Sequence, residues 1–103
     1  MKSSITYSFK AYLTLLPTKD GGRKTGIMDG YRPNFSFNTK KMYCGIIALK
    51  ADKEIKPGTS DAADIHLLSA ETIPKELSKG DTFSIKEGNH NIGSGQIISV
   101  YNN

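Results

Sequence analysis

Two histidines, His66 and His90, and one cysteine, Cys44, are the side chains best suited to nucleophilic or acid–base chemistry. That chemistry needs a nucleophile within hydrogen-bond reach of a base, and a third group to orient the base. No serine, cysteine or carboxylate stands at a spacing that pairs it with either histidine. His66, in the alternating run Asp64-Ile65-His66-Leu67, is expected as a half-exposed strand residue. His90 is expected at a hairpin tip. Cys44, in Met42-Tyr43-Cys44-Gly45, is expected as a small buried apolar residue. A single cysteine excludes an intrachain disulfide and a cysteine-based metal site. Asp61 and Asp64 are expected as solvated acids. These residues point away from catalysis, so the chain is expected to be no enzyme and to need no cofactor and no metal.

Gly22-Arg23-Lys24-Thr25-Gly26 mimics a phosphate-binding loop in composition only. A phosphate loop places Gly-Lys-Ser/Thr in direct succession, between a strand and a helix. Here Arg23 separates the glycine from the lysine and no helical pattern follows, so no nucleotide is expected to bind. Gly93-Ser94-Gly95 likewise lacks the helix of a dinucleotide fingerprint. Glycines at such a place mark a bulge or a close approach of backbones. The basic residues Lys19, Arg23, Lys24, Arg32, Lys40 and Lys41 are more suggestive, because Tyr31 and Tyr43 are interleaved with them. Cations neutralise phosphates, and aromatic rings pack on sugars or bases. Residues 1–45 hold eight Lys/Arg against two acids, whereas residues 46–103 hold six Lys against eight acids. This imbalance fits an RNA-facing half and equally fits a solubility device.

The elements that must position these residues are strands. Ile5, Tyr7, Phe9, Ala11, Leu13 and Leu15 alternate with Thr6, Ser8, Lys10, Tyr12 and Thr14, the period-two signature of a half-buried strand. Pro17 ends it, and residues 18–30 read as a polar loop. Residues 34–39 alternate again with Phe35 and Phe37 on one side, and residues 43–49 form another strand. Residues 51–58 read as a charged connection closing on the turn signal Pro57-Gly58. A strand containing Ile65 and Leu67 is expected to continue to about Ile73. Thr82 to Lys86 is a strand with Phe83 and Ile85 inward. Residues 87–91 form a hairpin loop. The last strand, 96–101, is expected to show Ile98 and Val100 on one face and Ile97 and Tyr101 on the other. No segment carries a capped 3.6-residue period. Some six strands joined by short turns predict an antiparallel barrel or sandwich.

The bulk properties fit one domain spanning residues 1–103. The chain is 37% hydrophobic and 23% charged with a net charge of +4, ordinary for a globular domain. No apolar run approaches the ~20 residues of a membrane helix. The first residues, Met1 to Tyr7, hold no continuous apolar stretch, so no signal peptide is expected and the expected location is cytoplasmic.

Three segments carry a family resemblance: Gly21-Gly22-Arg23-Lys24-Thr25, Tyr31-Arg32-Pro33-Asn34-Phe35, and Lys86-Glu87-Gly88-Asn89-His90-Asn91-Ile92-Gly93-Ser94-Gly95. In this order and spacing they resemble the C-terminal β-barrel domain of bacterial elongation factor Tu, where the same places read roughly GGR-x-T, YRP-x-F and REGGRTVGAG. The resemblance runs from about Tyr7 to Tyr101. It implies an all-β fold, a single six-stranded antiparallel β-barrel, in agreement with the alternation. In the parent factor this barrel contacts the T-stem side of aminoacyl-tRNA, packs against the GTPase domain and touches the exchange factor. The tRNA-facing positions cluster in the three motifs. The resemblance therefore implies an RNA- or partner-binding set of Arg23, Lys24, Arg32, Asn34, Glu87 and Gly88.

Lys24 stands in place of a usual histidine and Asn34 in place of a glutamine. Asn89-His90-Asn91 departs from Gly-Arg-Thr, which removes an arginine, and Ile73 stands where a basic or polar residue is common. The residues that set the fold, Gly21, Gly22, Tyr31, Pro33, Phe35, Gly88, Gly93 and Gly95, match the family pattern. Neither a GTPase domain nor a second barrel lies within the 103 residues, so the expected form is a stand-alone barrel that binds tRNA weakly at best. With fold-setting residues kept and RNA-facing ones drifted, the expected function is a non-catalytic protein–protein interaction module, a mimic or decoy of the factor. The alternatives are a weak binder of tRNA or another structured RNA, and a domain that works only with another chain.

Overall fold

The computed structural model describes residues 5–37, 41–68 and 77–101. Eight strands follow in chain order: β1 Ile5–Leu15, β2 Ile27–Met28, β3 Asn34–Ser36, β4 Tyr43–Ala48, β5 Glu54–Ile55, β6 Ser60–Leu68, β7 Thr82–Glu87 and β8 His90–Val100. Six of them close an antiparallel barrel in the order β1-β6-β4-β3-β7-β8, with β8 returning to β1. Closure leaves no unpaired edge along the wall, which protects a small all-β domain from edge-to-edge association. Among the described residues the one helical element is a 3-10 turn, Thr18–Asp20.

The alternation of β1 becomes the barrel's inside and outside. Phe9, Ala11, Leu13 and Leu15 are buried, while Lys10, Tyr12 and Thr14 face solvent. Phe35, Phe37, Phe83 and Ile85 are buried as the pattern predicts. Phe83 sits at the centre of an aromatic cluster, with ring centroids 5.6 Å from Phe9, 5.7 Å from Phe35 and 5.4 Å from Phe37. Edge-to-face and tilted pairs of this kind add to the burial of the rings themselves. The cluster needs Gly95 on β8: a Cβ there would lie 2.3 Å from Phe83 Cζ and 2.9 Å from Leu13 Cδ2. The close backbone approach expected for the glycine pair is present at Gly93, where a Cβ would lie 2.6 Å from the Thr14 carbonyl oxygen; at Gly95 the close neighbours are side chains.

Four features depart from the sequence expectations. Ile27 and Ile55, read as loop residues, are each 1% exposed and belong to the core. They face each other across a two-stranded ribbon, β2 with β5. Two-residue strands are too short to show a period, so the alternation could not reveal them. The last strand carries a bulge: Lys10 pairs with Ser99 and Ala11 with Ile97, leaving Ile98 as the extra residue. The bulge turns Ile97 inward and Ile98 outward, and it returns Val100 to the core side, so Ile98 and Val100 share no face. A second bulge sits between Ile85–Gly93 and Lys86–Asn91 and turns both Ile92 and Gly93 inward. Strand β8 consequently begins at His90, well before the expected Gln96. Finally, Cys44 is exposed. Tyr43 takes the inward position of β4, so its neighbour must point outward. The proposed continuation of the Ile65 strand to Ile73 lies outside the described residues, as does Lys40.

Candidate functional site

The long connection from β1 to β3 is folded back on the β7–β8 hairpin. Leu16 N–H donates to the Ile92 carbonyl at 2.9 Å, so the chain leaves β1 against β8. The 3-10 turn follows, with Asp20 N–H and Gly22 N–H both on the Pro17 carbonyl at 2.9 and 3.0 Å. Gly22 is held so tightly that a Cβ would lie 2.1 Å from the Leu16 carbonyl oxygen. Only glycine fits there, and the turn delivers Arg23 to a defined place. The Thr18 hydroxyl donates to the Arg23 carbonyl at 2.5 Å and fixes the backbone.

The Arg23 guanidinium then spans three partners. Nε donates to the Thr25 carbonyl at 3.1 Å and Nη2 to Thr25 Oγ1 at 3.2 Å. Nη1 donates to the Tyr31 hydroxyl oxygen at 3.2 Å and to Glu87 Oε2. The Tyr31 hydroxyl donates to the same Glu87 oxygen. Tyr31 is itself anchored to the barrel wall, because Ile47 N–H donates to its carbonyl at 2.9 Å. Glu87 is the last residue of β7. The first, second and third motifs thus meet at one carboxylate. Beside them, His90 Nε2 lies 2.6 Å from the Gly21 carbonyl oxygen. A carbonyl only accepts, so this nitrogen carries the hydrogen.

The electrostatics follow the geometry. The Tyr31 phenol is pushed up to about 12, first by burial and then by its hydrogen bond to the Glu87 carboxylate. The Glu87 carboxyl is held below its ordinary value, chiefly by the Tyr31 hydroxyl and also by Arg23. Burial pulls the Arg23 guanidinium down, but Glu87 and Tyr31 together outweigh it and the net shift is upward. All three are therefore locked in the neutral-phenol, carboxylate and guanidinium forms at neutral pH.

Of the six expected binding residues, Arg23 and Glu87 are in direct contact. Gly88 follows Glu87 at the exposed hairpin turn, and Lys24 follows Arg23, also exposed. Arg32 is exposed beside Tyr31. Asn34 is half-buried in β3, opposite Cys44 on one side and Lys86 on the other. Among the described residues neither Lys24 nor Arg32 makes an ion pair.

A family model described as the elongation factor Tu C-terminal domain matches residues 3–101. The chain belongs to that family. The closed six-stranded barrel is the fold the resemblance implies, and the match spans nearly the whole sequence.

Sequence reasoning placed Tyr31 among the fold-setting and RNA-stacking residues and His90 without a partner. Tyr31 turns out to be the element that joins Arg23 to Glu87, and His90 binds the elongation factor Tu-like Gly-Gly turn. The contacts of Tyr31 with Glu87 and of His90 with Gly21 join residues 56 and 69 positions apart, so no local pattern signals them. His66 also has a partner: Ser8 on β1 lies directly across from it on β6, with Ser8 Oγ 2.8 Å from His66 Nδ1. Among the described residues no carboxylate hydrogen-bonds His66, so the pair lacks the orienting group of a catalytic triad. No group of three or more His, Cys, Asp or Glu gathers among the described residues. No helix among them is long and apolar enough to cross a membrane.

Proposed function

We propose that the chain is a non-catalytic binding module that uses the outer surface of an elongation factor Tu-type barrel for protein–protein interaction, in the cytoplasm, as a mimic or decoy of the factor. The observation that carries this reading is the engagement of Arg23. Its guanidinium donates to Thr25, Tyr31 and Glu87 within the same chain. A guanidinium neutralised by an internal carboxylate has little charge or donor capacity left for a phosphate. The motif arginine acts here as a clamp between loop and hairpin, and the clamp shapes a surface in place of presenting a free cation.

The second reading, weak binding of tRNA or another structured RNA, is favoured by Lys24 and Arg32. Both are exposed and without ion pairs among the described residues, and they flank the clamp in sequence. Gel filtration with labelled tRNA, run beside a pulldown from cell extract, separates the two. Co-elution with tRNA at physiological salt would displace the protein-interaction reading. A stoichiometric protein partner with no tRNA shift is the expected result.

A further inference from the structure

On the barrel wall lies a groove of about 330 Å³ lined by Lys10, Ala48, Leu49, Lys50, Lys53, Ala62, Ala63 and Asp64, none of them a residue of the Arg23 clamp. Its position follows from the register. Lys10 of β1 pairs with Asp64 of β6, and Asp64 pairs in turn with Ala48 at the end of β4. The chain then passes through Lys50 and turns back at Lys53, whose N–H donates to the Lys50 carbonyl at 3.0 Å. Three ammonium groups from two separate segments thus ring a floor of alanines. Ala48 and Ala62 stop at Cβ, and that is what leaves the space open. Lys53 already holds a carboxylate, Asp61, at 3.0 Å. Among the described residues Lys10 and Lys50 hold none.

We propose that this groove docks an acidic segment of a partner protein, its Glu or Asp side chains on Lys10 and Lys50 and its small or apolar side chains on Ala48, Leu49 and Ala62. The proposal rests on the protein-interaction reading above and names the chemistry of the partner. The charge pattern selects a carboxylate-bearing chain over a nucleic acid. Asp64 lies in the groove wall, held by the Tyr101 hydroxyl at 2.5 Å, and Asp61 stands on Lys53. A phosphate backbone would meet both acids and gain little from the apolar floor, whereas an extended polypeptide can set carboxylates on the two unpaired lysines and small side chains on the alanines.

The test is a titration of the full chain with a short fluorescein-labelled peptide of alternating glutamate and alanine, read by anisotropy and by amide chemical shifts. Saturable binding is expected, with shifts centred on Ala48, Leu49, Ala62 and Ala63. Lys10→Gln combined with Lys50→Gln should weaken it by about tenfold, the effect of roughly 1.4 kcal/mol. Circular dichroism of the double variant checks that the barrel is intact, and Lys56→Gln, at an exposed lysine outside the groove lining, should leave peptide affinity unchanged. Binding that is absent at low salt, or indifferent to the two lysine changes, would overturn the proposal. So would an RNA oligonucleotide that occupies the same residues more tightly than the peptide. If a cellular partner is captured equally by the wild-type chain and the Lys10→Gln, Lys50→Gln variant, the groove is eliminated and the interaction reading stands. If no partner is captured, the interaction reading suffers, and the peptide titration still judges the groove.

Discussion

The Arg23 guanidinium carbon stands 4.6 Å from the centroid of the Tyr31 ring, and both side chains converge on one oxygen of Glu87. A cation over an aromatic face is attracted by the ring quadrupole. Here the same ring also donates its hydroxyl hydrogen to the carboxylate, so three segments of chain are tied by one cluster.

Removing the carboxylate should loosen that tie. Glu87→Gln keeps the shape but not the charge, and is expected to cost about 1 kcal/mol, the upper range for a partly exposed ion pair. The folded Glu87 has its carboxyl depressed, so its contribution is present above the unfolded carboxylate value of about 4.3 and is lost as pH falls through the lower folded value. Thermal melts at pH 7 and pH 3 should differ less for the variant than for the wild type. An equal difference would show that Glu87 carries no linkage.

Tyr31 makes the opposite prediction at alkaline pH. Its folded value is pushed up to about 12, above the ordinary phenol value, so its contribution is complete below about pH 10 and disappears as pH rises through the folded value. An ultraviolet phenolate titration should contain a late component that Tyr31→Phe removes. A Tyr31→Phe curve that overlays the wild type would contradict the arrangement.

The aromatic cluster predicts two kinds of damage. Phe83→Ala should cost about 3–5 kcal/mol, a large share of the stability of a domain this size. Phe35→Ala is expected in the same range. Gly95→Ala acts from the other side, by overpacking against Phe83 and Leu13, and should cost about 1–3 kcal/mol. Chemical denaturation of the variants measures both, and a neutral Gly95→Ala would mean that the ring yields without penalty.

Any tRNA affinity should be electrostatic and lie with Lys24 and Arg32, with Glu87-Gly88 alongside. It is expected to be no tighter than roughly micromolar at physiological salt and to fall steeply with salt, as non-specific phosphate binding does. Filter binding at two salt concentrations, with and without Lys24→Ala plus Arg32→Ala, checks it. Unchanged affinity in the double variant would remove the site.

GTP and ATP are expected to give no saturable thermal shift, because the Gly22–Thr25 loop runs into β2 and presents no helix to a phosphate. A shift abolished by Lys24→Ala would reverse this.

The alternation of Phe9 to Leu15, the paired Phe35 and Phe37, and the paired Phe83 and Ile85 were sufficient by themselves to establish an all-β domain and its aromatic centre. Burying one face of a strand imposes period two on neighbouring residues, and that information is local. The three motifs identified the family for the same reason, since turn glycines and the residues around them act within a few positions. What joins those motifs is not local. Arg23 meets Glu87, and His90 meets Gly21, only because barrel closure brings the β7–β8 hairpin beside the end of β1. The bulge at Ile98 parted it from Val100, and the bulge at Ile92 shifted the start of β8, since a single extra residue is specified by the partner strand and leaves no mark in composition. The outward position of Cys44 likewise follows from Tyr43 facing the core, and the burial of Ile27 and Ile55 from their pairing across the β2–β5 ribbon. The lysine groove is a further case: Lys10 and Lys50 are forty positions apart in the chain, and only the β1-β6-β4 order makes them neighbours of one hollow.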